Sequence, residues 1–237
     1  MRRFTLEEGG EDATDDWTAD SKSVIVVANR RDHYSIRIVP ITGGAPELIF
    51  TIPNWSYTEC GRPPSNRCLV AEPTDDHKQA VFTYFDPVKG RGRELTRLDL
   101  NAGFETIKMR ISNDGTKLAF APGPEGPIQI HGLGGGGLEH VIRTKELGKL
   151  ESFEWRADGK GLVVIRTLAN THAQIVHVDF QGNAKALWTC GGDTCFANTI
   201  SRRSAFVDLR AEDQHQHVDD GEFLMSVLPS AIHQNCN

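Results

Sequence analysis

Nowhere in the 237 residues is there an apolar run approaching the roughly 18–20 residues of a membrane-crossing helix. The amino terminus, Met1-Arg-Arg-Phe-Thr-Leu-Glu-Glu, has charge but no apolar core, so it is not a secretory signal. Positive charge is in short supply. The 26 Lys and Arg against 32 Asp and Glu leave a net charge of −6, and the basic residues are scattered (Arg30-Arg31; Arg91, Arg93, Arg97). A nucleic-acid-binding surface needs them clustered, so no nucleic-acid partner is expected. Catalytic signatures are missing too. No Gly-x-Ser-x-Gly elbow is present, and neither is the His-Arg-Asp or Asp-Phe-Gly of a kinase. The glycine run Gly134–Gly137 lacks the Gly-Lys-Ser/Thr ending of a phosphate loop and reads as a hairpin turn. Helical periodicity over any long stretch is likewise absent.

What is present is a segment that returns: a polar turn centred on Asp, followed at once by an apolar strand. Its copies are Trp17-Thr-Ala-Asp-Ser-Lys-Ser-Val-Ile-Val-Val-Ala, Ile111-Ser-Asn-Asp-Gly-Thr-Lys-Leu-Ala-Phe and Trp155-Arg-Ala-Asp-Gly-Lys-Gly-Leu-Val-Val-Ile. Pro73-Thr-Asp-Asp-His-Lys-Gln-Ala-Val-Phe is a looser fourth. The turn residues are Asp20, Asp76, Asp114 and Asp158, the last two 44 residues apart. Asp bonds back to the backbone of such a turn and Gly accepts its positive φ. Trp17 and Trp155, three positions ahead of the Asp, suit packing between repeats.

Between these turns lie short segments with period-2 alternation. They are Val24–Ala28, Ser35–Ile41 and Glu47–Phe50; Arg67–Glu72, Gln79–Phe85 and Glu94–Leu98; Thr106–Ile111, Lys117–Ala121, Ile128–His131 and Glu139–Arg143; then Leu150–Trp155, Gly161–Arg166, Gln174–Asp179 and Lys185–Trp188. A period of roughly 40–45 residues with several short strands per unit is the mark of β-propeller blades. The expected fold is all-β: a partial propeller of about four to five four-stranded antiparallel blades over residues 1–197. Met1–Glu8 reads as the outer strand of an earlier blade, and an open array is expected to self-associate through its exposed end faces.

Side chains capable of chemistry are dispersed. Asp12, Asp15 and Asp16 are hard ligands that could meet calcium, but their spacing fits no EF-hand loop, and a solvated acidic turn is expected. His33, His77, His131, His140, His172 and His177 fall on different units without i,i+4 pairing. No catalytic residue, cofactor or metal site is expected. Of the five cysteines, Cys60 and Cys68 flank the turn-rich Gly-Arg-Pro-Pro-Ser-Asn-Arg, and Cys190 and Cys195 flank Gly-Gly-Asp-Thr. Neither pair completes a zinc set. For Cys60 and Cys68 two states stand open, a disulfide closing the loop or free thiols; the disulfide belongs in an oxidising compartment.

After Ala197 the pattern stops. Back-translation of residues from Asn198 in a shifted frame yields a peptide containing Ser-Pro-Asp-Gly-Arg-His-Leu, whose Asp falls opposite Arg202, 44 residues after Asp158. Residues 198–237 are therefore expected to be a frameshifted, poorly structured tail. On that expectation Gln214-His-Gln-His is no metal site and Cys236 is incidental.

The quartets Ala19-Asp-Ser-Lys, Asn113-Asp-Gly-Thr and Ala157-Asp-Gly-Lys, each leading into an apolar strand, resemble the TolB-like, WD40-like (PD40) propeller repeats. The family's Ser-Pro-Asp-Gly-Lys carries a Pro that these copies lack. Phe85-Asp-Pro-Val-Lys-Gly-Arg-Gly-Arg-Glu-Leu-Thr-Arg and Pro124-Glu-Gly-Pro-Ile-Gln-Ile are similar to the C-terminal propellers of bacterial serine/threonine kinases and winged-helix regulators. The resemblance implies a non-enzymatic scaffold binding a protein, peptide or glycan. Alternatively, it implies the sensory propeller of a receptor-type kinase, with the parent protein's propeller outside the cytoplasm.

Overall fold

A computed structural model describes residues 12–29, 33–63, 65, 67–125, 127–143, 148–168 and 173–189. Expectations for Met1–Glu8, His172, Cys190, Cys195 and residues 198–237 lie outside them. The described chain is sixteen strands in four antiparallel sheets of four, each sheet in sequence order. The first contains β1 (Asp12–Trp17), β2 (Ser23–Asn29), β3 (Tyr34–Pro40) and β4 (Glu47–Ile52). The second contains β5 (Tyr57–Cys60), β6 (Cys68–Pro73), β7 (Gln79–Asp86) and β8 (Gly90–Asp99). The third contains β9 (Lys108–Ile111), β10 (Lys117–Ala121), β11 (Ile128–Gly132) and β12 (Gly137–Ile142). The fourth contains β13 (Lys149–Trp155), β14 (Gly161–Thr167), β15 (Ala173–Asp179) and β16 (Ala184–Thr189). The chain divides into two compact units, Met1–Lys145 with Phe180–Gly182, and Glu146–Asp179 with Asn183–Asn237.

In the first unit the core is made where sheet faces meet, and period-2 alternation decides which residue serves which face. Along β6, Cys68 and Val70 join Ile25, Val27, Ile36 and Ile52 of the first sheet in one cluster. Leu69 and Ala71, on the other face of the same strand, join Met109, Ile111, Leu118 and Phe120 of the third sheet. Phe85 meets Phe50 edge-on with centroids 5.4 Å apart, and Phe82 meets Phe120 in the same way at 5.4 Å. Central strands buried on both faces, such as Ile25–Ala28, are accordingly continuous apolar runs, whereas the outer strands are largely exposed. In the second unit one face of the sheet, with Phe153, Leu162, Val164, Val176 and Val178, is buried.

Three readings of the sequence are corrected. Asp12, Asp15 and Asp16 belong to strand β1, not to a solvated turn; pairing with β2 through a bulge between Thr14 and Asp16 organises a stretch with no apolar alternation of its own. β5, only four residues long, goes unsignalled in the sequence because Tyr-Thr-Glu-Cys shows neither alternation nor β-branched enrichment. The third correction concerns phase. Asp20, Asp114 and Asp158 lie between the first and second strands of their sheets, but Asp76 lies between the second and third, β6 and β7. The turn is a local hydrogen-bonded device and closes any hairpin that offers it the right residues, so it is no marker of strand rank.

Candidate functional site

Each Asp turn is built alike. A hydroxyl two residues before the Asp donates to the carboxylate: Thr18 to Asp20 at 2.8 Å, Thr74 to Asp76 at 2.7 Å and Ser112 to Asp114 at 2.6 Å. The amide two residues after donates to the same oxygen, from Lys22 at 3.0 Å, Lys78 at 3.1 Å and Thr116 at 3.0 Å. Asp158 uses the Arg156 guanidinium in place of a hydroxyl, at 2.7 Å, with the Lys160 amide at 2.9 Å. These donors hold the carboxyls below their ordinary value. For Asp20 the Lys22 amide leads; for Asp76 and Asp114 it is the Thr74 and Ser112 hydroxyls. For Asp158, burial pulls upward but the Lys160 amide and Arg156 outweigh it. All of this chemistry is spent inside the turn, which makes these residues structural.

Cys60 and Cys68 face one another across β5 and β6 and form a disulfide, with Cα atoms 4.0 Å apart. The loop they close reaches the third sheet, where the Arg67 guanidinium donates to the Gly115 carbonyl at 3.2 Å. Gly115 has φ +70°, and a Cβ there would fall 2.1 Å from Ser65 Oγ. The φ favours glycine, and the close approach to Ser65 requires it.

The penultimate residue of every first strand is charged: Asp16, Glu59, Arg110 and Glu154. In the first unit these side chains bridge successive sheets. Asp16 Oδ2 accepts from the Cys60 amide at 2.5 Å, and Glu59 Oε2 lies 3.7 Å from Arg110 Nη1. Glu59 is only 4% exposed, so the pair ties strands together rather than presenting charge to a ligand. Among the described residues the histidines gather in no cluster. His131 in β11 is buried beside Gln129 Oε1 at 2.9 Å, and His177 in β15 lies 2.9 Å from Arg156 Nη1. Burial depresses both imidazoles, with the Arg156 charge adding to the effect on His177. Of the glycine run, Gly134–Gly136 lies in the turn between β11 and β12 and Gly137 opens β12. Among the described residues no three His, Cys, Asp or Glu side chains gather as a metal site, and no helix is long and apolar enough to cross a membrane.

The feature that reaches the surface, through Trp55 alone of its four rings, was not anticipated in the sequence. At the end of the first unit opposite the Cys60–Cys68 loop, an aromatic stripe runs from sheet to sheet. Tyr34, at the start of β3, meets Trp55 edge-on at 5.7 Å. Trp55, in the connection from β4 to β5, meets Tyr57 edge-on at 6.1 Å. Tyr57 continues to Phe104 at 5.4 Å, in the 3-10 turn Phe104–Thr106. The Tyr57 hydroxyl donates to the Glu105 carbonyl at 3.0 Å, fixing that ring. Trp55 is 38% exposed although it is the largest side chain of the stripe. Asn-Trp-Ser-Tyr carries no recognisable motif, which is why the stripe is invisible without the fold.

Comparison with solved structures places the architecture. TolB from Acinetobacter baumannii superposes with a TM-score of 0.59 at 17% identity, over 78% of this chain and 45% of that one. The four sheets are TolB-like β-propeller blades. The β-propeller domain of the Trilobed protease from Pyrococcus furiosus is similar with a TM-score of 0.53 at 12% identity, covering 76% of this chain and 57% of that one. Kuenenia stuttgartiensis hydrazine synthase is similar with a TM-score of 0.51 at 15% identity, covering 78% and 53%. The chain spans about half the length of these structures. No family model matches the chain, and no curated protein sequence does. At such identities the shared property is the blade fold, and function has to be argued from the surface.

Proposed function

We propose that the chain is a non-enzymatic recognition module, a propeller scaffold that binds a protein, peptide or glycan through its aromatic stripe. The exposure of Trp55 between Tyr34 and Tyr57 carries this proposal. Large aromatics are enriched where surfaces bind, because they bury much area with few rotatable bonds. Here the blades supply rigidity, while the β4–β5 connection and the strand starts supply the contact residues, the usual division between scaffold and binding surface. The test is a comparison of the wild-type chain with Trp55→Ala on arrayed peptides and arrayed glycans. Retained signals that depend on Trp55 support the proposal. Binding unaffected by the substitution, or no binding to either array, overturns it.

A second proposal concerns the parent protein. The Phe85–Arg97 segment that resembles kinase-linked propellers forms the β7–β8 hairpin, with Asp86 Oδ1 accepting from the Val88 and Lys89 amides at 2.9 and 3.1 Å. On that resemblance the module serves as the sensory portion of a receptor-type kinase. A kinase and a membrane span encoded in the same reading frame support this; a frame encoding neither overturns it.

A further inference from the structure

We propose that the face of the fourth sheet made by Val163, Ile165, Ile175 and Trp188 is the seat of a fifth blade, and that this blade is the one spelled from Asn198 onward in the shifted reading frame. The inference stands apart from the recognition module argued above.

Position after the turn Asp decides which neighbour a side chain meets. In the first sheet the residues five and seven after Asp20 are Ile25 and Val27, and they join Cys68, Val70 and Phe85 of the following sheet. In the third sheet the residues four and six after Asp114 are Leu118 and Phe120, and they join Leu69, Ala71 and Phe82 of the preceding sheet. A blade thus offers its fourth and sixth residues backward and its fifth and seventh forward, because successive side chains of a strand alternate between faces. In the fourth sheet the fifth and seventh residues after Asp158 are Val163 and Ile165. Ile175 pairs with Ile165, and Trp188 pairs with Ile175, so they share that face. The matching Ile25, Val27 and Ile36 of the first sheet are wholly buried against the second. Here Val163 and Ile175 are only half-buried, and Trp188 is 39% exposed. A repeat cannot bury its apolar face alone, so this face calls for a neighbour of the same kind.

The shifted reading supplies that neighbour in phase. Its Asp falls opposite Arg202, and the residues four and six later are Leu, opposite Phe206, and Ile, opposite Asp208. These are the two positions that a blade offers backward. In the frame of this chain the sixth position is Asp208, a carboxylate, which is costly to bury between apolar faces. The reading also dictates codons: Leu opposite Phe206 needs TTT there rather than TTC, and Ile opposite Asp208 needs GAT rather than GAC.

The first test reads the gene. TTT at Phe206 with GAT at Asp208 supports the proposal; TTC at the first or GAC at the second overturns it. The second test compares the full chain with a variant that carries the shifted reading in place of the residues from Asn198 onward. The variant is expected to unfold at a higher urea midpoint. The emission of Trp188, isolated by difference against Trp188→Phe, is expected to move to shorter wavelength as its ring leaves water. Ile175→Asp is expected to lower the folding equilibrium constant of the variant at least ~10-fold more than that of the full chain, because only in the variant is the carboxylate buried against a neighbour. Equal midpoints with unshifted emission overturn the proposal. So does a gain in midpoint that Ile175→Asp leaves intact, since the added segment would then sit elsewhere.

Discussion

The residue after each turn Asp sits in the left-handed region: Ser21 at φ 61°, His77 at φ 56°, Gly115 at φ 70° and Gly159 at φ 67°. The same backbone is thus occupied by glycine twice and by a residue with a Cβ twice. Because that region costs an L-residue roughly 1–2 kcal/mol, His77→Gly is expected to stabilise the chain by about 0.5–1 kcal/mol after the added freedom of the unfolded glycine is set against it. The two glycines differ in surroundings. A Cβ at Gly159 meets nothing within 4 Å, whereas at Gly115 it collides with Ser65. Gly159→Ala should therefore cost only the backbone strain, about 1 kcal/mol, and Gly115→Ala a further 1–3 kcal/mol. Urea midpoints of the three turn variants decide the order; equal losses at Gly115 and Gly159 refute the inter-blade contact.

At the scale of elements, two devices hold the second blade, one within it and one against a neighbour. One is the disulfide at the β5–β6 loop, separated by eight residues in sequence. Closing so short a loop restricts the unfolded chain by about 2–3 kcal/mol, so reduction or Cys60→Ser should lower stability by that order. The Arg67–Gly115 bond should loosen with it, and amide hydrogen exchange at the β9–β10 turn should accelerate; protection unchanged on reduction would show that the loop is held by packing alone. The other device is apolar. Phe82 is wholly buried where the second and third blades meet. Phe82→Ala removes a ring from a close-packed site and should cost about 3–5 kcal/mol, read as a shifted denaturation midpoint. Of the elements themselves, the central strands were legible because burial on both faces or alternation writes itself into composition. β1 and β5 were not, since Asp-Ala-Thr-Asp-Asp-Trp and Tyr-Thr-Glu-Cys become strands through the partners they pair with.

Over the whole molecule, acid is expected to act in two stages. His131 and His177 have folded pKa values below the ordinary 6.5. Above that pH neither state carries the proton and stability is flat. As pH falls below 6.5 the unfolded chain takes up protons that these folded imidazoles refuse, so stability declines. The turn carboxylates Asp20, Asp76, Asp114 and Asp158 lie below their ordinary 3.8 when folded. Their contribution is complete above 3.8 and is lost as pH falls through the lower, folded values. Denaturant unfolding from neutral to acidic pH should show both declines. Replacing His131 and His177 with Gln should flatten the first and leave the second; a first stage that persists in this double variant would assign it to other groups.

The sequence by itself determined the blade: the Asp turns, the alternating strands and the repeat length are local properties, written in hydrogen bonds between near neighbours and in the two-residue period of a pleated chain. What only the tertiary structure decided is everything that depends on residues meeting across blades. Asp16 reaching the Cys60 amide, Glu59 facing Arg110, Ser65 against Gly115 and the line from Tyr34 through Trp55 to Tyr57 all join positions that no short-range pattern connects. A propeller blade is specified along the chain, but its surface is assembled between blades, and the proposed binding stripe belongs to that surface.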